Sequence, residues 1–133
     1  MIEVEVFGAA LAPQAPSEDE IARMCTQTAA SRGISSAHVA IEFVDADRIA
    51  QLNGRHRGKG EPTDVLSFPI DGVEALAGGS PRELGDIVVC PQHTADLREA
   101  IVHGMLHLLG MDHEHDDGEM LAAQRALLAE AAR

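Results

Sequence analysis

The chain has 133 residues, 45% of them hydrophobic, which is enough for one domain with a single core and too apolar for a disordered chain. Its net charge of −12 disfavours a protein that binds nucleic acid through a broad basic surface, because phosphate binding depends on Lys and Arg. Cys25 and Cys90 lack CxxC spacing, and no apolar run suits a signal peptide or a membrane span, so we expect reduced thiols in a cytoplasmic protein.

The first predicted elements are a strand and a helix. Residues 2–6 alternate apolar with acidic side chains, which is the period of a strand with one buried face. Ser17 followed three residues later by Glu20 forms a capping box, and this predicts the start of a helix. Gly33 is suited to the end of that helix, because glycine readily adopts the left-handed conformation found there.

A second strand and a second helix follow. In residues 38–44 the apolar side chains again alternate, so we predict a strand. Asp45 or Asp47 can cap a short helix after it. Asn53 and Gly54 favour the end of this helix, because both are common in turns.

Two further strands are predicted in the middle of the chain, separated by a loop. Residues 65–68 form a third strand, and Pro69 marks its end or a sheet edge. Residues 71–82 are rich in Gly, Ala and Ser without periodicity, so we expect a mobile surface loop. Residues 84–90 are apolar enough for a buried fourth strand.

The last part of the chain predicts two helices. Thr94 or Asp96 can cap the first, and residues 116–118 begin the second. The order βαβαββαα predicts an α/β (α+β) fold, a single domain over residues 1–133 with a mixed sheet of about four strands covered by helices. On the last helix, the side chains expected to pack inward are Met120, Leu121, Leu127 and Leu128.

The most informative stretch is residues 103–113, HGMLHLLGMDH. His103 and His107 lie one helical turn apart, Gly110 can end the helix, and His113 can then return towards the other two rings. Three neutral imidazoles leave a fourth position free, as in catalytic zinc sites. The spacing is that of the metzincin zinc motif, except that Gly104 stands where those proteases have their general-base Glu.

One basic run, residues 55–60 with the sequence RHRGKG, interrupts this acidic chain. Considered by itself, such a run is most often a solvated loop. Its alternative is a local patch for phosphate, because an arginine fork can hold two phosphate oxygens at once.

Taken together, these motifs resemble the YbeY family of bacterial rRNA maturation factors. The resemblance rests on the Leu-Asn pair at 52–53 followed by Arg57, on PTDVLSFP at 62–69, on LGDIV at 84–88 and on residues 103–113, where the family also has Gly second. It implies a metal-dependent endoribonuclease specific for single strands, acting in rRNA maturation and ribosome quality control. The family fold, a mixed sheet with several helices, agrees with the pattern above.

The resemblance also implies a ligand set and a mechanism. Zn²⁺ held by His103, His107 and His113 would activate water and polarise a phosphoryl oxygen of an RNA phosphodiester. Arg57 would hold the phosphate and stabilise the charge that develops in the transition state. The residues expected to contact RNA are Arg55, Arg57 and Lys59. The expected partners are ribosomal RNA of the small-subunit precursor and the ribosome or its proteins, and neither DNA nor a membrane.

The chain departs from the family at two places. The segment between Cys90 and His103 is short, whereas family members usually have a longer, helix-rich insertion there. Glu99 replaces a His that many members have one turn before the first ligand, so it could orient His103 or be a solvated side chain. Asp112 is expected to orient a ligand or cap a turn.

Several smaller assignments have alternatives. Thr63 and Asp64 could line the cleft beside the metal or fix the start of a strand through hydrogen bonds to the backbone, and we favour the second interpretation. His115 is most simply part of a solvated turn, with a fourth metal ligand as its alternative. Phe68 is expected in the core rather than as a platform for a base.

Two other functions fit parts of the pattern. A zinc peptidase would need a base at position 104, where this chain has Gly. A non-catalytic ribosome-assembly factor with a mainly structural zinc would suit the acidic balance. The ion itself stays open at this stage, because imidazoles also suit nickel, iron and copper.

Overall fold

A computed structural model of the chain describes residues 2–76, 78 and 81–131. The predicted order βαβαββαα is confirmed. The strands are β1 (Ile2–Phe7), β2 (Ala37–Phe43), β3 (Val65–Pro69) and β4 (Glu83–Val89). The helices are α1 (Glu18–Ala30), α2 (Ala46–Arg57), α3 (Leu97–Leu108) and α4 (Glu119–Ala131).

The four strands form one mixed sheet in the order β1-β2-β4-β3. β1, β2 and β4 run parallel, and β3 pairs antiparallel with β4 at the edge of the sheet. Pro69 is the last residue of this edge strand, as predicted, because proline cannot donate a hydrogen bond to a neighbouring strand. One side of β3 therefore stays open to a neighbouring cleft.

The two faces of the sheet are covered unequally. α1, α3 and α4 pack over one face, where the alternating Val39, Ile41 and Phe43 of β2 are buried as predicted. Burying each such side chain contributes about 1.5–3 kcal/mol. On the other face, α2 covers Leu66 and Val88 through a smaller cluster. This arrangement leaves α2 and α3 on opposite sides of the edge strand.

Both cysteines are buried free thiols, as expected. Burial raises the pKa of the Cys25 thiol to about 12, so it stays protonated and unreactive. No helix in the described part of the chain is long and apolar enough to cross a membrane.

Local signals place the ends of α1 correctly. The backbone N–H of Glu20 donates to the Ser17 side chain at 3.2 Å. Gly33 adopts φ +81°, and the N–H of Ile34 donates back to the carbonyl of Ala29 at 3.0 Å. These bonds satisfy backbone groups that a helix end leaves unpaired.

The predicted end of α2 at Asn53–Gly54 is wrong. The helix continues to Arg57 and ends at Gly58, which has φ +74°. Asn53 is buried and bonded, so it does not turn the chain, and positive side chains in the last turn interact favourably with the helix dipole. The first half of the basic run is therefore helical rather than part of a loop.

One further prediction was wrong, and the predicted loop agrees with the described residues. Leu121 is not packed inward as predicted, since it is 42% exposed. Met120 and Leu127 are buried as predicted, and Leu128 is partly buried against the core. Gln124 completes the buried face of α4, and Leu121 lies outside it. In the predicted loop, the described residues 71–76, 78, 81 and 82 contain no helix or strand, and residues 77, 79 and 80 lie outside the described residues.

On the face of the sheet opposite to α1 and α3, a histidine lies between two carboxylates. His38 Nδ1 lies 2.7 Å from Glu83 on β4, and its Nε2 contacts Glu5 on β1. The hydrogen bond to Glu83, followed by that to Glu5, raises the pKa of His38. A pKa raised on folding stabilises the protein fully below the unfolded value of about 6.5, and this stability is lost as pH rises through the folded pKa.

We therefore expect the stability difference between the native protein and His38→Gln to shrink as pH rises above about 6.5. The pairs are partly exposed, so its size should be about 1 kcal/mol or less. Urea unfolding of both proteins across the pH range measures this difference. A difference that is constant or grows with pH would contradict the assignment.

Candidate metal centre

α3 presents its two histidines to one side of the sheet edge. Asp96, rather than Thr94, caps this helix, because its side chain accepts the backbone N–H groups of Arg98 and Glu99 at 3.0 and 3.2 Å. The apolar face of α3 is buried against the sheet, and this fixes the rotation of the helix. As a result His103 and His107 lie side by side, with their Nε2 atoms 3.2 Å apart.

The turn after α3 brings in the third histidine. Gly110 has φ +92°, and the N–H of Met111 donates to the carbonyl of Leu106 at 3.0 Å. This glycine-dependent ending reverses the chain, as predicted. The ring centroid of His113 lies 5.2 Å from that of His103 and 5.4 Å from that of His107.

The three imidazoles are positioned to bind a metal ion. One ring nitrogen from each of His103, His107 and His113 lies within 4.8 Å of the other two. Among the described residues this is the one such group of three or more His, Cys, Asp or Glu side chains. It is the set predicted from the sequence.

Hydrogen bonds made by the Nδ1 atoms of His103 and His107 determine which nitrogen of each ring carries the proton. His103 Nδ1 donates to the Gln124 side-chain oxygen at 2.9 Å, and His107 Nδ1 donates to the carbonyl of Met111 at 3.0 Å. Burial, and next the neighbouring His103, lower the pKa of His107, so its ring is neutral near pH 7. Both Nε2 atoms then present lone pairs that face each other, an arrangement suited to a cation between them. The ring nitrogens of His103, His107 and His113 are therefore suited to binding a metal ion.

Gln124 was not foreseen from the sequence. It is 7% exposed on α4, and its side-chain oxygen accepts the hydrogen bond from His103 that was expected of Glu99. Glu99 is exposed on α3, and its side chain makes no hydrogen bond or ion pair within the described residues. The assignment of Glu99 as the group that orients His103 is therefore replaced by Gln124. A polar side chain at a buried helical position of α4 was the available signal.

A cleft of about 660 Å³ opens beside the three rings. The cleft is also lined by residues at and before β3 and by the end of α2, where Arg57 lies. Arg57 is exposed, and within the described residues its guanidinium makes no hydrogen bond or ion pair. The cleft therefore pairs a possible metal site with one unengaged arginine.

The other basic residues divide between cleft and surface. Arg55 and Lys59 are exposed near the same helix end but do not line the cleft. His56 does line it, and its ring packs on Phe68 with centroids 4.5 Å apart. Phe68 is partly buried against the smaller core cluster, as expected for a core side chain.

Of Thr63 and Asp64, Asp64 combines the two roles that were considered for the pair. Both line the cleft. Asp64 also accepts the backbone N–H of Val65 at 2.8 Å, which fixes the start of β3. The two alternatives are therefore compatible.

Asp112 forms its hydrogen bonds within its own turn and not with the three imidazoles. Asp112 accepts the N–H of Glu114 at 2.9 Å and contacts the ring of His115. That backbone bond first, and then the bond to His115, lower the pKa of Asp112, and the same contact raises the pKa of His115. The turn-capping alternative for Asp112 agrees with these bonds, and His115 stands outside the group of three rings.

Gly104 is required by packing. A Cβ at this position would lie 2.7 Å from Ile87 Cγ2 on β4, closer than real contacts allow. The carbonyl of Gly104 also accepts the Ser67 hydroxyl of β3 at 3.1 Å. α3 therefore approaches the sheet so closely that a longer side chain at 104 would displace it.

The chain is similar to proteins that carry the name Endoribonuclease YbeY. The family model described as Endoribonuclease YbeY matches residues 12–132. The Endoribonuclease YbeY of Salinispora tropica is 44% identical over 115 residues, covering 70% of this chain and 73% of that protein. That of Rhodopseudomonas palustris is 44% identical over 107 residues, covering 70% and 56%. That of Rubrobacter xylanophilus is 35% identical over 131 residues, covering 95% and 89%.

A solved structure has the same fold. A protein of Thermotoga maritima, determined in solution, matches with a TM-score of 0.57 and 27% identity. The match covers 98% of this chain and 89% of that one. The mixed sheet with its helices is therefore shared beyond the sequence motifs.

Proposed function

This chain belongs to the YbeY family of endoribonucleases, and we propose that it cleaves single-stranded RNA during rRNA maturation and ribosome quality control. The observation that carries the proposal is the cleft that is lined by His103, His107 and His113 together with Arg57. A phosphodiester placed there would meet both the possible metal ligands and a free guanidinium. An unpaired strand suits such a cleft, because its backbone can bend and its bases can be splayed out.

Zinc is the ion that we propose for the three imidazoles, since three neutral His with an open position suit it. When bound, zinc would supply an acidified water as nucleophile and a Lewis acid for the phosphoryl oxygens. Gln124 and the carbonyl of Met111 hold the protons on the Nδ1 atoms of His103 and His107. These bonds keep both Nε2 atoms available as ligands.

Arg57 is the residue that we propose to act on the substrate. Its planar guanidinium can donate two hydrogen bonds to a phosphate and stabilise charge that grows on the phosphoryl oxygens. Because it has no carboxylate partner among the described residues, no ion pair has to break before it binds. Arg55 and Lys59, outside the cleft, would attract the flanking strand without touching the reacting phosphate.

The proposed partner is ribosomal RNA of the small-subunit precursor, presented on the ribosome or with its proteins. The net charge of −12 makes the whole chain repel RNA, and the basic run at the end of α2 offsets this only locally. Binding of free RNA should therefore be weak and sensitive to salt. Presentation within a ribosomal particle would raise the local concentration of substrate.

The geometry at Gly104 separates this proposal from a peptidase. A general-base Glu at that position would have to displace Ile87 from the core. Hydrolysis of a phosphodiester depends more on stabilising phosphoryl charge than on that base. A ribosome-assembly factor with a structural metal stays the principal alternative.

Cleavage of a labelled rRNA fragment tests the proposal. The zinc-loaded protein is expected to cut the fragment as a single strand and to leave it intact once annealed to its complement. Equal cutting of both forms would contradict the single-strand preference. A zinc-loaded protein that cuts neither form, free or within a small-subunit precursor particle, would favour the assembly factor.

A further inference from the structure

A buried amide on α2 joins the helix to the loop that follows it. Asn53 is 4% exposed, and its side-chain Nδ2 donates to the carbonyl of Glu61 at 2.9 Å. Its own carbonyl accepts the backbone N–H of Gly58, the residue that ends α2. One residue therefore binds the loop at two points, at its start and near its end.

The loop lies close against the helix as a result. A Cβ atom built on Gly54 would lie 3.5 Å from the Cα atom of Gly60, an ordinary van der Waals contact, so the loop lies directly against the helix. The loop carries the chain from Arg57, the last residue of α2, to the half-buried Thr63, and residues 57–62 are exposed. The main-chain carbonyl of Asn53 holds the start of the loop whatever the side chain is, so the Nδ2 bond to Glu61 is the part that depends on Asn; without it the far end of the loop would be free to move.

Stability does not account for this amide. Asn53 Oδ1 is buried and has no hydrogen-bond partner among the described residues. An unpaired buried acceptor costs as much as or more than one neutral hydrogen bond returns. A leucine would fill the same position next to Ile49 without that cost.

We propose that Asn53 is a positioning residue that holds Arg57 in the cleft by tying the loop over residues 58–61 to α2. The inference rests on the proposed function, because it assigns to Asn53 no role except through Arg57. Arg57 precedes this loop and Thr63 follows it, and both residues line the cleft. A loop released from Asn53 would leave the Arg57 guanidinium distributed over several positions, and a misplacement of about 1 Å can cost about 100-fold in rate.

Asn53→Leu separates positioning from structure, because it removes the Nδ2 donor together with the unpaired acceptor. We expect it to fold at least as stably as the native protein, to bind zinc fully and to lose about tenfold to about hundredfold in kcat. Thr28→Val is the matched control, since it also removes a buried hydrogen-bonding group, on α1 away from the cleft, and should keep native cleavage. Asn53→Ala provides a second variant should Leu prevent folding.

A double-mutant cycle with Arg57→Ala gives the decisive readout. If Asn53 acts through Arg57, Asn53→Leu should lower cleavage by no more than about twofold once Arg57 is already Ala. The same loss in both backgrounds, or native cleavage by Asn53→Leu and Asn53→Ala, would overturn the positioning role and leave the proposed function intact. Native cleavage by Arg57→Ala would overturn the positioning role together with the role proposed for Arg57, whereas absence of cleavage by the native protein would overturn the proposed function.

Discussion

Replacing His107 with Ala is expected to remove both the bound zinc and RNA cleavage. His107 contributes one of the two Nε2 atoms that lie 3.2 Å apart, and burial lowers its pKa, so its ring is neutral and ready to bind a cation. Loss of a residue that merely orients a ligand costs about 10-fold to 100-fold in metal affinity, and loss of a ligand should cost more. Zinc content after dialysis, and competition with a chelator, measure this effect.

His93→Ala is the matched control for His107→Ala. His93 is exposed, lies before α3 and does not line the cleft. Its replacement should leave zinc content and cleavage unchanged. A His107→Ala protein that still holds one zinc with native affinity would contradict the assignment of this ligand.

Replacing Arg57 with Ala should leave zinc binding intact and lower kcat by about 10²-fold to 10³-fold, the usual cost of removing one group that stabilises transition-state charge. The variant should fold normally, since the side chain is exposed and makes no bond among the described residues. Zinc content and single-turnover cleavage, measured on the same preparation, separate the two effects.

Arg55→Ala and Lys59→Ala are the controls for Arg57→Ala. Both residues are exposed outside the cleft, so each should weaken RNA binding and reduce its salt dependence while kcat stays near native. If Arg55→Ala lowered kcat as much as Arg57→Ala, the effect would come from general charge and not from a contact in the cleft.

Local patterns were sufficient to predict most of the fold. Alternation placed β1 and β2, and a continuous apolar run placed β4. Ser17, and one of each pair of candidate caps (Asp45 of Asp45 and Asp47, Asp96 of Thr94 and Asp96), mark the starts of α1, α2 and α3. The metal-binding group was predictable because two His one turn apart, a glycine and a third His determine one another's positions within a single helix end. Such features depend on neighbours in the sequence.

The features that were missed depend on distant contacts. α2 continues past Asn53 to Arg57, and the buried Asn53 side chain bonds to the carbonyl of Glu61, a contact that no local propensity indicates. Gln124 reaches His103 only because α4 packs beside α3. The reason for Gly104 is likewise remote, since Ile87 of β4 occupies the space that a side chain would need.

The central claim is that cleavage takes place at the three imidazoles with a metal bound there. The most direct measurement is the rate of single-stranded RNA cleavage by metal-free native protein as zinc is added in increments. We expect cleavage to be absent at first, to rise in proportion to bound zinc and to level off at one ion per chain. Full cleavage by the metal-free protein, or no cleavage at one bound ion with RNA free or in precursor particles, would contradict the account.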